Sequence, residues 1–230
     1  VAILAFIMMV LQAVFYIKKR QYTHFAWGAA ISFSALLYSV GIFIEYNTYQ
    51  GQLNRYAGVL EYTAVILLVH CFLGFTFSYF DIKKKHYRKV VSLIHVCFLI
   101  ILWSTNWFVS SRFVSRDFIA LDSPYIEPAL GAYAFLFVIY AALSTIAIGL
   151  IWVFNRSIDL KYRMNYLVGI AIWLLLGIHD GLASLGVPAF QYFMEYGFLA
   201  FAVVILLGVF SSYVEVEAER LALLEHRIDE

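Results

Sequence analysis

Apolar residues along this chain fall into long unbroken runs separated by short polar or charged stretches. The runs cover Val1–Ile17, Phe25–Ile44, Arg55–Phe80, Val90–Val109, Ala129–Phe154, Tyr166–Leu185 and Tyr192–Tyr213. A helix needs about 20 apolar residues to cross the hydrocarbon core of a bilayer. The pattern therefore predicts an all-α integral membrane protein. It reads as a seven-transmembrane helix bundle over residues 1–213 with a cytoplasmic C-terminal helix over 214–230. The first run opens at Val1 and is expected to lack its outer end.

Composition agrees with this reading. Hydrophobic residues make up 63% of the chain and charged ones 13%, whereas a soluble domain carries about 25% charged residues. Mean hydropathy is +0.83. A net charge of +1 supplies no basic field for nucleic acid. Cys71 and Cys97 both lie inside apolar runs and read as small core residues rather than a disulfide. No secretory signal peptide is visible.

The connecting segments fix an orientation. Those after the first, third and fifth runs carry Lys18, Lys19 and Arg20, then Lys83, Lys84, Lys85, Arg88 and Lys89, then Arg156, Lys161 and Arg163. The opposite face has only Arg55, Arg112 and Arg116. Positive residues beside membrane helices stay cytoplasmic, so the N-terminus is expected outside and the C-terminus inside. One outer connection is long, Ser110 to Pro128, with Asp117, Asp122 and Glu127 beside the two arginines. It reads as a solvated loop in preference to a ligand-gating hairpin or lid. The terminal VEVEAERLALLEHRIDE places Val214, Leu221 and Ile228 at one heptad position and Leu224 at its partner. This short amphipathic repeat is expected to be a linker helix leading from the last span to a cytoplasmic output domain. His226 has the acidic neighbour of a phosphoacceptor, but it lies too close to the membrane for that role.

Orientation also assigns depth. Glu45, Glu61, Glu195 and the adjacent His179 and Asp180 are all predicted in the outer third of the bundle, on four different helices. Charges at that depth are costly and face the interior, pair, or bind something. Three readings are open: a polar network that stabilises the bundle, a ligand or proton pocket, and a metal site. The last is the weakest, since no HExxH or matching histidine pair exists. Glu61 and Glu195 have tyrosines nearby as potential donors, among them Tyr46, Tyr62, Tyr192 and Tyr196. His70 and His95 fall in the inner half, close enough to meet, and read as core histidines. The seventh run has no lysine, which excludes a retinal Schiff base there. No Walker loop, GxSxG or dinucleotide fingerprint is present, and no cofactor is implied.

Several stretches carry a resemblance. The second run reads LLYSVGIFIEY, similar to a Y-x-x-G-x-x-x-E pattern ending at Glu45. NRYAGVLEYTA opens the third, Thr105 and Asn106 end the fourth, and GIHDGLASLG with YFMEYGFLAFAVVILLGVFSSYVEVEAE forms the last two. In these features the chain resembles the seven-helix sensor modules at the N-termini of bacterial histidine kinases and diguanylate cyclases. The resemblance implies a receptor in the bacterial inner membrane, working as a homodimer. Glu45, His179, Asp180, Glu195 and Tyr196 then stand at family positions, and an unknown small or lipophilic ligand is the stimulus. The output domain, kinase or cyclase, stays open, as does enzymatic activity of the whole protein. The rival reading is a small proton-coupled transporter or channel using the same carboxylates. No internal repeat supports it.

Overall fold

A computed structural model describes residues 1–48, 51–82, 85–120, 125–155 and 160–229 of the chain. The described residues form seven helices: α1 (Ala2–Lys18), α2 (Thr23–Asn47), α3 (Gly51–Tyr79), α4 (Lys85–Ser104), α5 (Ala132–Phe154), α6 (Leu160–Ser184) and α7 (Met194–Asp229). Six of these are long and apolar enough to cross a membrane, and α1, with 17 residues, is shorter. Lys83, Lys84, Asp122 and Arg156 of the charge pattern lie outside the described residues, as do the side chains of Lys85, Lys161, Leu224, His226 and Ile228.

Two expectations are corrected. The fold is not purely helical, because residues of the long connection form a two-stranded antiparallel sheet, β1 (Val109–Arg116) and β2 (Tyr125–Leu130). Val109 pairs with Leu130 and Arg116 with Tyr125, and the register shifts between Val109 and Phe113. This hairpin is no bland solvated loop: Phe118, Tyr125 and Glu127 are buried. The fourth apolar run also ends early, at Ser104, with Val109 already in β1. The reason is local. The Thr105 hydroxyl bonds back to the Ile101 carbonyl at 2.7 Å, and Thr105 Oγ1 accepts the Trp107 amide at 3.2 Å. Arg55 donates to the Thr105 carbonyl, so the freed helix end is satisfied from α3.

α3 is the most enclosed helix and packs along α2, which in turn packs on α1 and α7. At the charged end of the bundle the core is aromatic. Trp152, Tyr166 and Phe75 are fully buried there, with ring centroids of Trp152 and Tyr166 4.1 Å apart. The Trp152 indole finds its acceptor in Thr76 at 3.1 Å, as a buried N–H in an apolar medium must. Nearby, α3 terminates with Asp81 in the left-handed region at φ 49° and the Ile82 amide bonded to the Phe77 carbonyl, a helix-ending turn of the Schellman kind. α7 continues without a break from its apolar segment into the charged tail. Lys19 meets Glu217 at 2.6 Å, and Phe15 stacks on Tyr213, so the tail's start is pinned to α1.

The packing makes a prediction. A Cβ on Gly208 of α7 would lie 1.7 Å from the Tyr166 hydroxyl oxygen, whereas one on Gly149 of α5 would meet nothing within 4 Å. Gly208→Ala is expected to cost about 1–3 kcal/mol by overpacking. Gly149→Ala should be neutral or stabilise by up to about 1 kcal/mol through helix propensity. Thermal unfolding in detergent micelles distinguishes them; equal melting of the two variants would contradict the packing of α6 on α7.

Candidate functional site

The hairpin end of the bundle gathers carboxylates from three helices and the sheet. Glu45 sits in the last turn of α2 and is buried, and the Tyr125 phenol of β2 donates to its Oε2. Glu61 of α3 lies against α2 where Gly41 has no side chain; a Cβ there would stand 2.6 Å from Glu61 Cγ. Glu61 Oε1 is sealed from solvent and has no hydrogen-bond partner among the described residues. Asp180 of α6 is buried, and Glu127 of β2 reaches the same space.

Asp180 has a specific task. Its Oδ1 accepts the Phe193 amide at 2.8 Å, and its Oδ2 accepts the amides of Phe193 and Met194 at 2.9 and 2.6 Å. Met194 is the first residue of α7. Asp180 therefore caps α7 from a neighbouring helix, satisfying orphan N–H groups and placing negative charge at the positive end of the helix dipole. His179 Nδ1 lies 2.8 Å from Asp180 Oδ1 and orients the carboxylate from the other side.

Glu127 is held twice. Arg116 Nε donates to Oε1 at 2.8 Å and the Tyr192 phenol to Oε2 at 2.6 Å. Arg116 also donates to the Ser184 carbonyl at the end of α6, and Ser184 Oγ is 3.2 Å from the Tyr192 hydroxyl. Burial pushes the Glu127 carboxyl above the ordinary carboxylate range, while the Tyr192 and Arg116 contacts pull it back in part. Burial and the Glu127 charge both raise Tyr192. Further bonds stitch the hairpin down: Asn54 to the Ile126 carbonyl, and the amides of Ile119 and Ala120 to the carbonyls of Ala189 and Phe190.

Beneath this lid lies a cavity of about 350 Å³ lined by Glu45, Glu61, Glu127 and Asp180 at its polar end. That volume falls at the small end of ligand sites, about 300–1,000 Å³. Of the candidate residues read from the sequence, Glu45, Glu61 and Asp180 are brought together on the cavity wall. His179 stands behind Asp180. Glu195 and Tyr196 are in the first turn of α7, outside the lining, with Tyr196 exposed. The sequence reading missed Tyr125, left Glu127 and Arg116 in a solvated loop, and offered Tyr192 to Glu61 or Glu195, whereas it donates to Glu127. Tyr125 and Glu127 are two apart in β2 and share its buried face, a strand periodicity that could have been looked for. The arrangement can accept hydrogen bonds or hold a cation; no cluster of three metal-ligating side chains occurs among the described residues.

His70 and His95 are a separate site. Their Nδ1 atoms are 3.4 Å apart, and the Tyr140 hydroxyl lies 3.4 Å from His95 Nε2. Only one imidazole of such a pair can donate in that contact, and the Trp27 ring meets His70 edge-on.

Compared with known families and curated proteins, the chain matches no family model and no curated relative.

The Glu127 clasp predicts a pH-dependent defect. Arg116→Gln leaves Glu127 buried without its cation, and the cost is expected to be about 1–3 kcal/mol near neutral pH. The folded-state carboxyl is already raised relative to the unfolded chain, and losing the guanidinium raises it further. The defect is therefore full above that folded value and shrinks as pH falls through it, because the carboxyl then becomes neutral. Melting curves of Arg116→Gln from pH 8 to about pH 5 should approach wild type, leaving only the part lost with the Ser184 bond. Adding Glu127→Gln should remove most of the pH dependence.

Proposed function

We propose that this chain is the membrane sensor part of a signalling protein, with all seven helices spanning the bilayer. On this reading the hairpin end faces outward and the lysine- and arginine-rich end faces the cytoplasm, following the charge bias. A stimulus is read in the cavity under the hairpin and passed along α7 to a cytoplasmic output domain such as a histidine kinase or diguanylate cyclase, within a homodimer in a bacterial inner membrane. Glu45, Glu61 and Asp180 bear on the stimulus directly, and His179, Glu195 and Tyr196 act around the start of α7.

One observation carries this. One of the four carboxyl groups that line the cavity, Asp180, is also the group that caps α7. α7 is then a single helix of 36 residues, about 54 Å long at 1.5 Å per residue, against a hydrocarbon core of about 30 Å. Any occupant that draws on Asp180 changes how the first turn of α7 is held, and the helix carries the change beyond the membrane as a rigid element. A ligand shifts such an equilibrium only through its differential affinity for the two states, and Asp180 provides that difference.

The test is a distance between tails. Spin labels at the exposed Leu221, in a background with Cys71 and Cys97 replaced by alanine, report the separation of α7 in paired copies. Asp180→Ala removes the cap, at a cost of about 0.5–2 kcal/mol, and should move or broaden that distance by about 1–2 Å or more. Asp180→Asn keeps a capping acceptor and should stay near wild type at rest. Identical distances in all three proteins would overturn the receptor reading, and proton flux into proteoliposomes that depends on Glu61 would favour transport instead.

A further inference from the structure

The lining of the cavity is asymmetric in charge and in openness, and together these define what it takes. At the polar end stand Glu45, Glu61, Glu127 and Asp180, and no described lining residue is Lys, Arg or His. The guanidinium of Arg116, which reaches two of the lining residues, is committed to Glu127 and the Ser184 carbonyl. The sealed Glu61 oxygen still lacks a donor among the described residues. An anionic group entering this space meets four carboxyl groups and no uncommitted counter-charge among the described lining residues. A cation meets acceptors already in place, among them the carboxyl of Glu61, which has no donor on Oε1 among the described residues.

The other wall is apolar and breached. Val138 of α5 and Ile178 and Leu182 of α6 line the cavity, yet they are 45%, 60% and 47% exposed on the bundle surface. The cavity thus opens sideways between α5 and α6. Gly181 stands at this opening, and a Cβ there would meet nothing within 4 Å. In a bilayer that doorway faces acyl chains rather than water. A molecule using it needs an apolar body, and one reaching Glu61 needs a donor-rich head.

We infer that the cavity binds a single-chain amphiphile with a protonated amine head, admitted from the bilayer between α5 and α6, the amine lodging among Glu45, Glu61 and Asp180. This rests on the sensor reading for its meaning but not for its geometry. A whole two-chain lipid exceeds the space, which suits a small ligand. The amine of such a molecule stays protonated at neutral pH, like a lysine with its unperturbed value of about 10.4. Drawn to Asp180, it competes with the amides of Phe193 and Met194 and so acts on the α7 cap.

The chain reconstituted in nanodiscs of zwitterionic lipid provides the test. The probes are ω-bromoundecylamine, ω-bromoundecanoate and ω-bromoundecanol, whose bromine quenches indoles. Trp173 lines the cavity, so its quenching is the difference between wild type and Trp173→Phe. The amine should quench saturably with a half-saturation about tenfold or more below the carboxylate and the alcohol, a difference of one decade in affinity. Glu61→Gln should erase most of that advantage while keeping the fold. Gly181→Phe should block all three probes, and Gly149→Phe, on α5 away from the lining, should leave them unchanged. Equal or tighter binding of the carboxylate or the alcohol would overturn the amine assignment. Undiminished quenching in Gly181→Phe would overturn the lateral entry. The tail distances of the Asp180 variants are read without any probe, so a failed ligand class and a failed receptor reading give different results.

Discussion

Asp180 reaches across from α6 to take the first amides of α7, and much of the hairpin end follows from that contact. Within a membrane the open end of a helix is a liability, because no water is at hand to satisfy its N–H groups. The chain meets this with a carboxylate from the preceding helix rather than from the residue just before α7. The connection from α6 must then fold back far enough to deliver Phe193 and Met194 to Asp180. That return brings Ala189, Phe190 and Tyr192 under the hairpin, where each is bonded. The carboxylate in turn is held by His179, its neighbour in sequence.

The same economy governs the rest of the polar layer. Buried carboxyl groups are expensive unless each finds a donor. Tyr125 serves Glu45, and Arg116 with Tyr192 serves Glu127. These donors come from the hairpin and the α6–α7 connection, so the lid is held by the very groups that would otherwise destabilise the bundle. Glu61 is the exception, with one sealed oxygen left without a donor among the described residues. The other three carboxyl groups of the layer are each served, so Glu61 marks the point at which the set is incomplete.

Hydrophobic patterning made the helices legible, because runs near membrane length leave little choice of secondary structure. The end of α4 was not, since Val109 continues the apolar run and the helix stops where Thr105 Oγ1 takes the Trp107 amide out of the helical ladder. The hairpin was hidden for a related reason. Its inward face alternates Tyr125 with Glu127, so the strand period is carried by polar groups rather than apolar ones. Shared depth drew attention to Glu45, Glu61 and Asp180 without showing what each touches. The cap on α7 was beyond reach, because capping rules look to the residue beside the helix and Asp180 lies in the preceding one.

A helix fixed at both ends of its span is a suitable lever only if one fixing can yield. At the far end α7 is tied to α1 by Phe15 against Tyr213 and by Lys19 with Glu217. At the near end it is tied by Asp180, a group open to the cavity. A hydrogen bond to a charged partner contributes about 1.5–3 kcal/mol, and coupling between sites in regulated proteins is about 1–3 kcal/mol. The two ranges overlap, so on the proposed receptor reading redirecting one or two bonds of Asp180 would supply enough free energy to bias α7 without dismantling the bundle. Weaker capping would leave nothing to redirect, and a cap buried away from the cavity would leave no route to it. The position of Asp180, at the cavity wall and at the helix end together, meets both conditions.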